Sequence, residues 1–150
     1  MLTHLFSDLF DVLVFENNSI NKQKLVNYEE ISTDLLLNTE LLNFYLALKK
    51  NHQLSLNVFT SAYYLANKQA KISQKHFKKF DQLYSTVLLG FSKHNQQAYE
   101  LLAQNTKAKP QNCLFIDDKQ LYTQTAQKAG FMAITHHNNH QTINNIKSLL

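Results

Sequence analysis

Arginine is absent from this chain, and the residues that cross-link or punctuate a fold are scarce: one cysteine, one proline and two glycines in 150 residues. The lone Cys113 excludes an intramolecular disulfide and any cysteine-based zinc cluster. The formal net charge of +4 is carried by lysine alone, which lacks the planar fork that grips bases and phosphates bidentately. Only Lys71, Lys75, Lys78 and Lys79, around His76, form a local cluster, and such a run reads as a solvated helix face. Nucleic acid is therefore not the expected partner. No apolar run approaches the ~20 residues of a membrane span, and Met1-Leu2-Thr3-His4 has no basic leader region. A cytoplasmic location is the expectation.

What is present is enough apolar sequence, 44% of residues, to fill the core of a single domain over residues 1–150. Short apolar runs alternate with amphipathic ones, the pattern of a parallel sheet with crossover helices. Strands are expected at Thr3–Ser7, Leu54–Phe59, Thr86–Leu89, Cys113–Asp117 and Met132–Thr135. Helices are expected at Thr39–Asn51, Tyr63–Ser73, Gln96–Asn105, Tyr122–Ala129 and Gln141–Leu150. Leu41, Leu42, Tyr45 and Leu48 give the first helix an apolar stripe. Lys109-Pro110 marks a turn before the fourth strand, and Gly130 stops the helix before the fifth.

Two of these strands end in charge. Cys113-Leu114-Phe115-Ile116 runs into Asp117-Asp118, and Leu5-Phe6-Ser7 runs into Asp8. Open α/β sheets bind ligands at the carboxyl ends of their strands. Adjacent carboxylates repel unless a cation or a hydrogen-bond network compensates them, and a hard, oxygen-liganded ion such as Mg²⁺ suits the pair. A strand-end Asp capping a polar turn is the plainer alternative. His136-His137 with His140 invites a metal reading, but consecutive residues after a strand converge poorly on one ion. A loop leading into the last helix is the better reading, and Cys113 reads as an inert core residue.

Asp8-Leu9-Phe10-Asp11-Val12-Leu13 is followed by Val58-Phe59-Thr60-Ser61, by Gly90-Phe91-Ser92-Lys93-His94-Asn95, and by Phe115 to Phe131 with Ala126 and Gly130 inside it. In order and spacing these segments resemble the four motifs of the haloacid dehalogenase-like (HAD) hydrolase superfamily, from about Leu5 to Thr135. The resemblance implies a Rossmannoid three-layer α/β sandwich, a five-stranded mostly parallel sheet with helices on both faces. Residues 15–34 stand where the family inserts a flap or cap and are too few for a helical cap domain. A minimal flap is implied, with a site open to large substrates or covered by a second subunit of a homo-oligomer.

The resemblance also implies roles. Asp8 would be a nucleophile that accepts a phosphoryl group from a phosphorylated small molecule or macromolecule. Mg²⁺ would be held by Asp8, the Phe10 backbone carbonyl, Asp117 and chiefly Asp118. Thr60 and Ser61 would contact phosphate, and Lys93 would neutralise charge on both phosphate and Asp8. As plainer alternatives, Thr60 and Ser61 cap a following helix and Lys93 is one more surface lysine.

Two departures bear on activity. Phe10 stands where the family's phosphatases carry an acid–base Asp, a group whose work is typically worth ~10²–10⁴-fold. Asp11, in the slot of the usual Gly, is one residue out of phase with it. His94-Asn95 replaces Pro-Asp, although Asn95 can still cap a helix. A Mg²⁺-dependent phosphatase-type hydrolase of weak or specialised activity is the first expectation. A catalytically degenerate domain that binds a phosphorylated ligand or a protein partner is the second. Haloacid dehalogenation, suggested by the aromatic at position 10, is the third.

Overall fold

The computed structural model describes residues 1–61 and 74–150. The main sheet is built from β1 (His4–Ser7), β5 (Ser55–Thr60), β6 (Gln82–Ser85), β7 (Cys113–Asp117) and β8 (Met132–Thr135). Their order is β6-β5-β1-β7-β8 and every pairing is parallel. The registers place Ser7 beside Val58 on one side and Ile116 on the other. Residues just beyond Ser7 therefore emerge between the carboxyl ends of β5 and β7. This is the expected α/β sandwich.

Side-chain alternation divides the core in two, as the period of a strand requires. Leu5, Leu56, Val58, Leu114 and Ile116 point to one face, where they meet the stripe Leu41, Leu42, Tyr45 and Leu48 of α2 (Thr39–His52) and Ile146 of α7 (Asn139–Lys147). Phe6, Phe59, Cys113 and Phe115 point to the other. There they pack on Ala98, Tyr99, Leu102 and Ala103 of α5 (Gln96–Thr106) and on Ala126 of α6 (Gln120–Lys128). The second face is an aromatic cluster: Tyr99 meets Phe59, Phe115 and Phe131 edge-on, with ring centroids 5.1–5.9 Å apart.

Between β1 and α2 the chain folds a separate three-stranded antiparallel sheet. It comprises β2 (Val14–Glu16), β3 (Tyr28–Glu30) and β4 (Leu35–Asn38) in the order β2-β4-β3, with α1 (Ser19–Lys24) before β3. The abundant asparagine finds a local use here and elsewhere. Asn18, Asn38, Asn95 and Asn138 each accept a backbone N–H at the start of α1, α2, α5 and α7, the bond that satisfies an orphan donor of a helix N-terminus. Asn38 also donates to the Val12 carbonyl and exchanges side-chain hydrogen bonds with Asn139, tying the small sheet's exit to the last helix.

One strand is misplaced by the sequence reading. Thr86–Leu89 is not a strand but a short helix, α4, after α3 (Gln74–Phe77). The edge strand is the preceding, more polar Gln82–Ser85. Ser85 caps α4, its Oγ accepting from the Leu88 N–H, and Gly90 closes it with φ of 74°. Val87 and Leu88 are 53% and 68% exposed, so the apolar run that suggested a buried strand is on the surface. The helix expected at Tyr63–Ser73, and with it Lys71 of the lysine cluster, lies outside the described residues.

Candidate active site

Asp117 ends β7 on the face of the sheet that carries Phe115, and Asp8 follows β1 beside it. Asp117 is fully buried and Asp8 nearly so; Asp118 is half-buried. One ligand oxygen from each of Asp8, Asp117 and Asp118 lies within 4.8 Å of the others. The Asp8 N–H donates to the Ile116 carbonyl at 2.8 Å, and Asp117 Oδ1 accepts from the Lys119 N–H at 2.9 Å. Backbone hydrogen bonds thus lock the positions of both strand-end acids.

Lys93 enters from the loop before α5. Its Nζ lies 2.7 Å from Asp8 Oδ1 and 2.7 Å from Asp117 Oδ2, and the residue is 1% exposed. The rings of Phe59, Phe115 and Tyr122 surround the ammonium at 5.4–5.5 Å, close enough for cation–π attraction. Tyr99 braces the arrangement by donating its hydroxyl to the Lys93 and Tyr122 carbonyls, at 3.0 and 3.1 Å. Asn95, two residues after Lys93, starts α5 by accepting from the Gln97 N–H. The loop keeps its capping residue although His94-Asn95 replaces Pro-Asp.

The charge balance is unequal, three carboxylates against one ammonium. Burial pushes the Asp8 carboxyl above the ordinary range; Lys93 opposes this and Asp117 adds to it. Burial, then Asp117 and Asp8, push Asp118 up to about 6. An added cation would oppose both shifts, since a positive ion among the oxygens favours the ionised forms. The donor set, all hard oxygen, fits a Mg²⁺ ion.

The other sequence-derived residues divide. Thr60 ends β5 and is 1% exposed, at the same edge of the sheet; Ser61 follows it and is exposed. Phe10 is half-buried and packs against the core cluster shared with α2 and α7. Asp11 is exposed, with φ of 59° and its N–H donating to the Val14 carbonyl. The histidines do not converge on an ion. His136 is buried against Thr142 Oγ1 at 2.8 Å and pushed down to about 4 by burial, while His140 lies in the first turn of α7. Cys113 is buried, its thiol pushed up to about 12 by burial, which leaves it unreactive. A hollow of about 330 Å³ lined by His4, Ser55, Asp81 and Tyr84 lies at the opposite, amino edge of the sheet.

With this geometry in view, the comparisons are decisive on family. Residues 4–130 match the family model described as haloacid dehalogenase-like hydrolase. The chain belongs to that family. Solved structures agree on its fold. An uncharacterized protein from Corynebacterium glutamicum matches at TM-score 0.73 and 16% identity, over 99% of this chain and 95% of its own. A protein described as a predicted HAD-like family hydrolase, from Porphyromonas gingivalis, matches at 0.68 and 16%, over 99% and 98%. A HAD family enzyme from Bacteroides thetaiotaomicron, solved in complex with magnesium and inorganic phosphate, matches at 0.67 and 15%, over 93% and 96%. No curated protein matches the chain.

What sequence reasoning missed in this HAD-like chain is the aromatic lining. Phe115 carries a signal, since it lies two residues before Asp117 and so on the same face of the strand. Tyr122, on α6, carries none, because only the packing of α6 beside the sheet brings it to Lys93.

Proposed function

We propose that this protein is a Mg²⁺-dependent, phosphatase-type hydrolase working through an aspartyl-phosphate on Asp8, with slow turnover. The observation that carries the reading is the buried unit in which Lys93 bridges Asp8 and Asp117 beside Asp118. The magnesium-and-phosphate complex of the Bacteroides thetaiotaomicron structure supports it. Asp8, Asp117, Asp118 and the Phe10 carbonyl would hold Mg²⁺, which supplies charge neutralisation that lets a carboxylate approach a phosphate. An Asp8 oxygen attacks phosphorus and the bond to the ester oxygen breaks. Lys93 sits where it offsets charge on Asp8 and on the transferred group, with Thr60 and Ser61 as further phosphate contacts. Water then cleaves the aspartyl-phosphate, releasing inorganic phosphate and regenerating Asp8.

Phe10 offers no proton to the leaving oxygen. Turnover is therefore expected to favour esters whose leaving group departs as a stable anion, such as aryl phosphates, over alkyl esters, which forfeit the ~10²–10⁴-fold of general acid help. We further propose that residues 15–34 serve as a minimal flap on a single-domain enzyme. The site would accept bulky phosphorylated substrates or be covered by a second copy. No described helix is long and apolar enough to cross a membrane.

The test is an aryl phosphate assay with and without Mg²⁺, wild type beside Asp8→Asn. Mg²⁺-dependent turnover that disappears in Asp8→Asn is the expected result. Equal activity in the two proteins would overturn the mechanism. A second reading, a domain that binds phosphorylated ligands without turning them over, draws on Phe10 packed into the core and Asp11 facing solvent. Phosphate binding without turnover would select it.

A further inference from the structure

Three basic side chains lie around the Tyr122 ring. Lys93 approaches it from inside, at 5.5 Å. Lys119 lies over it at 5.4 Å, and His94 packs edge-on against it with centroids 4.9 Å apart. Lys119 and His94 are exposed and flank Asp118 and Lys93 in sequence, so they stand at the rim of the site. The lysines differ in how their charge is met. Lys22, Lys49 and Lys93 each have a carboxylate partner. Among the described residues, the Lys119 ammonium has no carboxylate and no hydrogen-bond partner, only the ring. It is thus an exposed cation that shares the Tyr122 ring with the buried lysine beside Asp8.

We infer that Lys119, with His94 and the Tyr122 ring, forms a rim subsite for a second anionic group of the substrate. The inferred substrate class is a phosphomonoester that carries another phosphate or a carboxylate a few bonds away. The inference rests on the reading of Asp8, Lys93 and Asp118 as the phosphate and metal site. Its physical basis is simple. Lys93, which addresses the phosphoryl group in that reading, and Lys119 both lie against Tyr122, so a second anion a few bonds away can reach Lys119. The ring restrains Lys119 through cation–π attraction, which lowers the entropy lost when an anion captures it. His94 adds a hydrogen-bond donor.

The probes are a matched pair, n-butyl phosphate and 1,4-butanediol bisphosphate, titrated calorimetrically into Mg²⁺-saturated protein. The bisphosphate is expected to bind about fivefold more tightly, the scale of one solvent-screened ion pair, and the advantage should shrink as salt rises. Lys119→Gln should remove most of that ratio, and Lys119→Arg should retain it. Equal binding of the two probes by wild type would overturn the subsite. So would a Lys119→Gln variant that weakens both probes by the same factor, since that marks a general field effect. Asp118→Asn separates the two layers of the argument. If butyl phosphate binds with Mg²⁺, and Asp118→Asn abolishes this, the site reading stands whatever the rim does. If neither probe binds wild type in Mg²⁺, the site reading fails and the subsite falls with it.

Discussion

Two loops deliver chemistry to the same carboxyl edge, and they are built to different standards. Lys93 is buried although its loop neighbours Ser92 and His94 are exposed, and its ammonium has two carboxylates and three aromatic rings. The turn after Asp8 is different: Phe10 turns into the core cluster, and Asp11 is exposed in a left-handed conformation. The first is a buried ionic unit that holds shape and charge. The second is a turn whose aromatic side chain packs inward and whose acid faces solvent.

The sharpest way to break the contrast is to remove Lys93. Lys93→Met leaves Asp8 and Asp117 buried without their cation, and breaking a buried pair from one side costs about 3–5 kcal/mol. Urea denaturation in the absence of Mg²⁺ should show that loss. Adding Asp117→Asn to Lys93→Met should recover part of it, because one of the stranded charges is gone. A loss below about 1 kcal/mol would mean that Lys93 does not hold the two acids, contrary to a pair this deeply buried.

The opposite change is made in the turn. Phe10→Asp supplies a carboxyl at the position where the family's phosphatases have one, and a gain of about 10²-fold in turnover of an alkyl phosphate is expected. Aryl phosphate turnover should rise less, since its leaving group needs no proton. An alkyl rate that does not move would place the defect in substrate binding. Phe10 packs on the core, so the variant's stability has to be measured beside its rate.

A smaller effect comes from pH. Asp118 is pushed up to about 6 in the folded protein, against an ordinary value of 3.8. The folded state therefore binds that proton more tightly than the unfolded chain does. The stabilisation is complete below about pH 4 and is lost as pH rises through 6. His136, pushed down to about 4, works in the other direction over the same range. The informative quantity is thus the difference between wild type and Asp118→Asn in metal-free buffer. Between pH 7 and pH 5, wild type should gain about 1 kcal/mol more than the variant, once screening of this half-exposed group is allowed for. With Mg²⁺ present the sign should reverse, because the metal needs the carboxylate ionised. Thermal unfolding at the two pH values checks both statements.

The two loops also differ in how far the sequence discloses them. Cys113–Asp117 is legible to the residue because Pro110 precedes the strand and paired carboxylates follow it. Asp8, Thr60 and Lys93 are legible as strand-end or loop groups in a spaced order. Their convergence depends on β5, β1 and β7 being neighbours, which local pattern does not dictate. Thr86–Leu89 misled because its residues favour strands, yet Ser85 caps the segment as a helix and leaves Val87 and Leu88 in solvent. The ring around Lys93 was hidden for a tertiary reason: Phe59, Phe115 and Tyr122 come from three elements and meet only through packing.

The smallest expected effect tests whether the turn itself is strained. Asp11 has φ of 59°, a conformation that costs an L-residue about 1–2 kcal/mol, less for Asp than for most. Asp11→Gly removes that cost but increases the freedom of the unfolded chain, so a net gain of about 0.5 kcal/mol is expected. The substitution also deletes one of the charges that push Asp118 up. The pH difference described for Asp118 should therefore narrow in the Asp11→Gly background. Asp11→Asn removes the charge and keeps a side chain tolerant of the left-handed region. If it narrows the pH difference without the gain in stability, charge and strain at Asp11 are separable. If both variants leave the pH difference unchanged, Asp11 lies too far into solvent to act on the site, and the turn is a bystander to the three carboxylates.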